Sequence, residues 1–126
     1  HSLGGALAVI FSVLYNNVTG VYTFGQPRAG DSAFAKTANI VLSEKYFRLV
    51  NDHDIIPHVP FPFINSYRHA GKLIFFKHDA SVCLDPTIYD VPSVMRSFIT
   101  SFKGSPRELV TDHFMQDYLQ KIKANM

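Results

Sequence analysis

The 126-residue sequence has no tryptophan and a single cysteine, Cys83. One cysteine excludes an internal disulfide framework and any zinc site built from clustered cysteines. An excess of one charge sign is also lacking. Lys and Arg number 12 against 10 Asp and Glu, leaving +2, and no basic run occurs. Nucleic acid is therefore not the indicated partner. No apolar run approaches the ~20 residues of a membrane-spanning helix. There is no initiator Met and no charged leader segment: the chain opens on His1-Ser2-Leu3-Gly4, inside a helix-like pattern. It is expected to be a piece of a longer protein, so localisation stays open.

What is present is ordinary globular material, 47% hydrophobic and 17% charged, with 11 Phe and 6 Tyr. The length allows one domain at most. A mean hydropathy of +0.05 is high for so short a chain. Much of it is expected to be buried, or to pack against structure outside these residues.

Leu3, Leu7, Ile10 and Leu14, with Ala6, Val9 and Val13, recur at helical spacing, which predicts a helix from Ser2 to about Tyr15. It is apolar on most sides and so expects burial on more than one face, with Val9, Ile10, Val13 or neighbouring side chains on an apolar patch facing absent neighbours. Val18 to Phe24 reads as a strand ended by Gly25-Gln26-Pro27-Arg28. Gly30-Asp31-Ser32 can cap a helix over roughly Ser32 to Leu42. Tyr46 to Val50 reads as the next strand, followed by the polar loop Asn51-Asp52-His53-Asp54. Alternation of helix and strand predicts an α/β fold with a mostly parallel sheet and helices on its faces. Tyr67 to Lys77 reads as two short strands around Gly71, His78 to Pro92 as loop, Ser93 to Phe102 as helix, and His113 to about Ala124 as a last amphipathic helix after Asp112.

His1-Ser2-Leu3-Gly4 is four-fifths of the G-x-S-x-G nucleophile elbow, in which a serine stands on a strained strand-to-helix turn. Gly5-Ala6-Leu7-Ala8 behind it supplies the small-residue start such a helix needs. The Leu3 backbone N–H, at the helix N-terminus, is positioned to donate to an oxyanion. The elbow predicts partners in the order serine, acid, histidine. Asp54 follows a strand and precedes Ile55-Ile56-Pro57, and is preferred as the acid over Asp52. His113 is the last of six histidines and lies at a loop-to-helix junction, where a base can be held. Each has an ordinary structural reading too: Ser2 as a helix N-cap, Asp54 as a turn carboxylate, His113 as a surface residue of a first helical turn. His53 and His58 with Asp52 do not make a helical metal pair, because Pro57 forbids i, i+4 presentation; no metal site is expected. His58 and His69 are expected to satisfy buried polar positions. Asn17-Val18-Thr19 fits a glycosylation sequon, read as a chance match at the helix-to-strand junction.

These stretches together resemble the class 3, fungal-lipase-like family of α/β-hydrolases. The resemblance rests on His1 to Ala8, on Tyr22-Thr23-Phe24-Gly25-Gln26-Pro27-Arg28-Ala29-Gly30 and on Arg48 to Pro60, with weaker support from Arg68-His69-Ala70-Gly71 and Asp112-His113. It implies that residues 1–126 are the C-terminal half of one incomplete α/β-hydrolase domain, the earlier strands, the lid and a second oxyanion donor preceding the elbow. It also implies Ser2 as nucleophile, Asp54 as triad acid and His113 as base, acting on a lipid ester at an interface through an acyl-enzyme and with no cofactor. Triacylglycerol, phospholipid and feruloyl esters are not separated by these residues. The rival reading is a non-catalytic relic that binds lipid or a protein partner. A thiol enzyme using Cys83 is weaker still, since no helix start or neighbouring His lowers that thiol's pKa.

Overall fold

The computed structural model describes residues 1–61, 65–84 and 111–126; the helix expected at Ser93 to Phe102 lies outside them. Helix α1 (Leu3–Tyr15) leads through an exposed loop at Asn17 to strand β1 (Val21–Phe24), then helix α2 (Ser32–Leu42), a 3₁₀ turn (Ser43–Lys45), strand β2 (Tyr46–Asn51), a second 3₁₀ turn (Ile56–His58), strands β3 (Lys72–Phe76) and β4 (Val82–Leu84), and helix α3 (Met115–Lys123). The four strands form one sheet in the order β1-β2-β3-β4. The first three are parallel, with Phe24 opposite Leu49 and Leu49 opposite Ile74, and β4 returns antiparallel to β3.

Alternation along the strands sorts side chains to two faces. On one, Val21 and Tyr46 join Val9, Ala35, Ala38 and Leu42, so α1 and α2 cover that side. On the other, Leu49 and Phe76 join Tyr118, with Phe24, Ile74, Met115 and Ile122 against them, so α3 covers the opposite side. This two-sided cover is what parallel strands require. The start of α2 follows from sequence: the Asp31 side chain accepts from the Phe34 N–H at 2.8 Å, an N-cap that satisfies one of the helix's orphan donors.

The exposed apolar row expected on α1 is present, formed by Leu3, Leu7, Phe11 and Leu14, while Val9, only 1% exposed, faces the opposite way; at 100° per residue those four positions share one face. Two local expectations are corrected. Tyr67 to Ala70 makes no strand, only a bridge from Arg68 to Gly30. Val82–Leu84, inside the expected loop, is a strand because its backbone pairs with Ile74 to Phe76, although its own side chains are largely exposed.

Candidate active site

The parallel strands β1 and β2 end side by side, and the polar groups collect at their C-terminal ends, where open α/β sheets place ligands. Ser2 stands at the head of α1 with φ 56° and ψ −136°, a strained conformation for a non-glycine residue. Its N–H donates to the Phe24 carbonyl at 2.9 Å, tying the helix start to the end of β1. Although it occupies the N-cap position, its side chain makes no capping bond. The hydroxyl instead lies 2.9 Å from Nε2 of His113.

His113 Nδ1 faces both oxygens of Asp54, at 3.0 and 2.9 Å. A carboxylate only accepts, so the proton sits on Nδ1, and Nε2 is left to accept from Ser2. Asp54 is fully buried. Burial pushes its carboxyl above the ordinary value, while hydrogen bonds from Tyr118 and His113 and the Ile56 N–H pull it back. The Tyr118 hydroxyl donates to Oδ2 at 2.6 Å and accepts from the Asn51 N–H at 3.0 Å. Burial next to Asp54 in turn holds that phenol well above its usual pKa.

The structure therefore brings Ser2, His113 and Asp54 into one chain of hydrogen bonds. Asp52 goes elsewhere, toward His53 and His78, because β2 ends at Asn51 and the chain turns, so strand alternation does not carry both carboxylates to one side. Asp112 does not cap α3, whose N-cap is Phe114. Its carboxylate accepts from the His53 N–H at 3.2 Å and its carbonyl from Asn51 Nδ2 at 3.0 Å.

Three contributors escaped the sequence reading. Tyr118 was visible only as an apolar position of the last helix. His1 donates from Nε2 to the His113 carbonyl at 2.7 Å, with the two rings 4.6 Å apart. Gly25 has φ +57°, and a Cβ there would lie 2.6 Å from Asp54 Oδ2 and 2.9 Å from His113 Nδ1. Of the small residues behind Ser2, Gly5 is the one close to the β1 end, where an added Cβ would lie 3.1 Å from the Gln26 side chain; one at Gly4 would meet nothing within 4 Å. As the first residue of α1, Leu3 has an N–H without a helical acceptor.

His58 and His69 stand apart from this chain. With Arg28, Arg48, Val50 and Phe75 they line a cavity of about 110 Å³. His69 Nε2 donates to the Pro57 carbonyl at 2.7 Å, and Arg28 donates to the His58 and Pro60 carbonyls. Burial and the nearby guanidinium of Arg28 lower His58 to about 4. Burial and Arg48 push His69 in the same direction. Both are neutral at neutral pH.

Known proteins resemble this chain in sequence and in fold. The chain is 45% identical over 82 residues to a lipase of Rhizomucor miehei, covering 57% of this chain and 22% of that protein. It is 38% identical over 91 residues to triacylglycerol lipase OBL1 of Arabidopsis thaliana, covering 60% and 17%. The solved Rhizomucor miehei lipase–propeptide complex superposes with a TM-score of 0.62 at 30% identity, over 78% of this chain and 35% of that one. The chain thus spans about a fifth of the length of these curated relatives, and its sheet and helices are part of an α/β-hydrolase fold. The family model described as lipase (class 3) matches residues 1–64, just over half of the chain, and with that match the chain belongs to the class 3 lipase family.

Proposed function

We propose that this chain carries the catalytic triad of a serine hydrolase that cleaves lipid esters, a triacylglycerol or a related acylglycerol or phospholipid. The observation that carries the reading is the unbroken path from Ser2 Oγ through His113 to Asp54, at 2.9 Å on each side of the imidazole. His113 Nε2 takes the hydroxyl proton as Ser2 Oγ attacks the ester carbonyl. The oxyanion that forms is held by the Leu3 N–H at the positive end of α1. Collapse of the tetrahedral intermediate expels the alcohol, which leaves with the proton from Nε2. Water then loses a proton to His113, attacks the acyl-enzyme, and frees Ser2 and the carboxylic acid. Asp54 keeps Nδ1 protonated and stabilises the imidazolium in both halves. The path needs no metal and no organic cofactor.

The test is hydrolysis of p-nitrophenyl butyrate, emulsified triacylglycerol and phosphatidylcholine by the full-length protein that contains these residues, and by its Ser2→Ala variant; residues 1–126 alone are expected to be inactive. Turnover is expected to fall about 10⁴-fold or more in the variant. The ratio of rates on the two lipids assigns the substrate class. Undiminished turnover in Ser2→Ala removes Ser2 as the nucleophile. A full-length protein that binds lipid vesicles without hydrolysing any ester favours the relic reading.

A further inference from the structure

On the far side of the β2 terminus, away from Ser2, three side chains from two segments converge. Asp52 and His53 come from the turn after β2, and His78 from the turn between β3 and β4. The His53 Nδ1 lies 3.3 Å from Asp52 Oδ2, and the His78 Nδ1 lies 4.0 Å from the same oxygen. The three donor atoms all fall within 4.8 Å of one another. A second carboxylate stands beside them, with Asp112 Oδ2 also 3.3 Å from His53 Nδ1. The two imidazoles meet edge to face with centroids 6.0 Å apart.

We propose that Asp52, His53 and His78 bind a divalent transition-metal ion of the zinc type, with Asp112 close enough to supply a fourth donor. The donor set is two imidazole nitrogens and carboxylate oxygen, the mixture that such ions take and that calcium or magnesium, which prefer oxygen alone, do not. The spacing fits as well. Bonds of about 2.0–2.2 Å in a tetrahedron put neighbouring donors ~3.3–3.6 Å apart, and two of the three measured separations are already 3.3 Å. The longer one involves His78, whose side chain is 90% exposed and so has room to close the remaining gap.

The surrounding charge favours a cation. The Lys121 ammonium stands within charge–charge reach of four carboxylates, Asp112, Asp52, Asp117 and Asp79, and donates its hydrogen bond to the Lys77 carbonyl. The set is not the group of His53, His58 and Asp52, for which the sequence leads to no metal site. His58 turns into the cavity beside Arg28, and His78 takes its place through the return of β4. An ion held there joins the end of β2 to the β3–β4 turn. Through Asp112 it also reaches the residue that precedes His113. The site does not depend on the acyl-transfer reading.

The experiment is titration of the metal-stripped full chain with Zn²⁺, followed by calorimetry and by the thermal midpoint, in wild type and in His78→Ala. The expected result is one Zn²⁺ per chain with micromolar or tighter affinity and a rise in Tm. In His78→Ala both are weakened at least about tenfold, while Ca²⁺ and Mg²⁺ at equal concentration leave Tm unchanged. His78 is exposed, so its removal leaves folding intact; a second variant, His53→Ala, is expected to weaken binding similarly. Absence of Zn²⁺ binding by wild type overturns the proposal and leaves His53 as a plain ion-pair partner of two aspartates. Binding that survives in His78→Ala overturns it too.

Discussion

The hydroxyl of Tyr118 sits 2.6 Å from Asp54 Oδ2 while receiving the Asn51 N–H at 3.0 Å, so one phenol links the end of β2 to the buried carboxylate. Tyr118 is itself completely buried. Its aromatic ring meets Phe24 edge-on at 5.9 Å, and packing with Leu49 and Phe76 holds it still. In the proposed triad it is a positioning residue: it touches Asp54, not the reacting atoms.

Tyr118→Phe keeps this packing and removes both hydrogen bonds. A hydrogen bond to a charged group contributes about 1.5–3 kcal/mol, and the Asn51 N–H is left without its acceptor. We expect kcat/KM to fall about tenfold or more. Because the Tyr118 bond is the largest influence opposing the burial that raises Asp54, its loss raises that carboxyl further. The acid limb of the pH–rate profile then moves to higher pH. A pH–rate profile that coincides with that of wild type, with only Tm lowered, assigns Tyr118 a structural role alone.

Gly25→Ala places a methyl group 2.6 Å from Asp54 Oδ2 and 2.9 Å from His113 Nδ1, at a φ of +57°. The backbone conformation alone costs about 1–2 kcal/mol for an L side chain. The larger effect is displacement of the imidazole, for which a misplacement of about 1 Å lowers turnover about 10²-fold. Esterase kinetics together with a thermal melt check this: activity is expected to fall far more than stability. An active Gly25→Ala enzyme would show that the two side chains move aside freely.

His1→Phe preserves a ring beside His113 and deletes the donor to its carbonyl, now 2.7 Å away. The loop that carries His113 keeps its anchors to Asn51 and to the His53 N–H. A fall in kcat of about five- to tenfold with KM little changed is therefore expected, corresponding to one net hydrogen bond. A KM effect of that size with kcat intact contradicts the assignment of His1 to the base.

Buried neutral histidines set an acid limit on stability. His58 titrates near 4 in the fold against about 6.5 in an unfolded chain. Between those values the unfolded state binds the extra proton, so stability is full above about pH 6.5 and is lost as pH falls toward 4. The His58 contribution is up to roughly 3 kcal/mol, and His69 acts in the same direction. Urea unfolding of the full chain at pH 7 and pH 4.5 is expected to show this loss, and His58→Gln to reduce it. Equal slopes in wild type and variant remove His58 from the account.

Local patterns were enough to read α1, α2, β1, β2 and the ordering of serine, acid and histidine. Helical periodicity, the Asp31 cap and runs of β-branched residues act over a few neighbours, and so does the elbow at Ser2. Tertiary structure decided what depends on distant partners. Strand β4 exists because Ile74 to Phe76 offer it hydrogen bonds, not because Val82-Cys83-Leu84 has a face to bury. The preference for Asp54 over Asp52 was legible from its place before Ile55-Ile56-Pro57, but the separation of the two side chains turned on where β2 stops. Tyr118 and His1 joined the site only when α3 packed across β2 and brought residues more than 60 positions apart into contact. Spacing along a chain reports periodic burial; it carries no distance between side chains on separate elements, and those distances are what place a proton between Ser2 and Asp54.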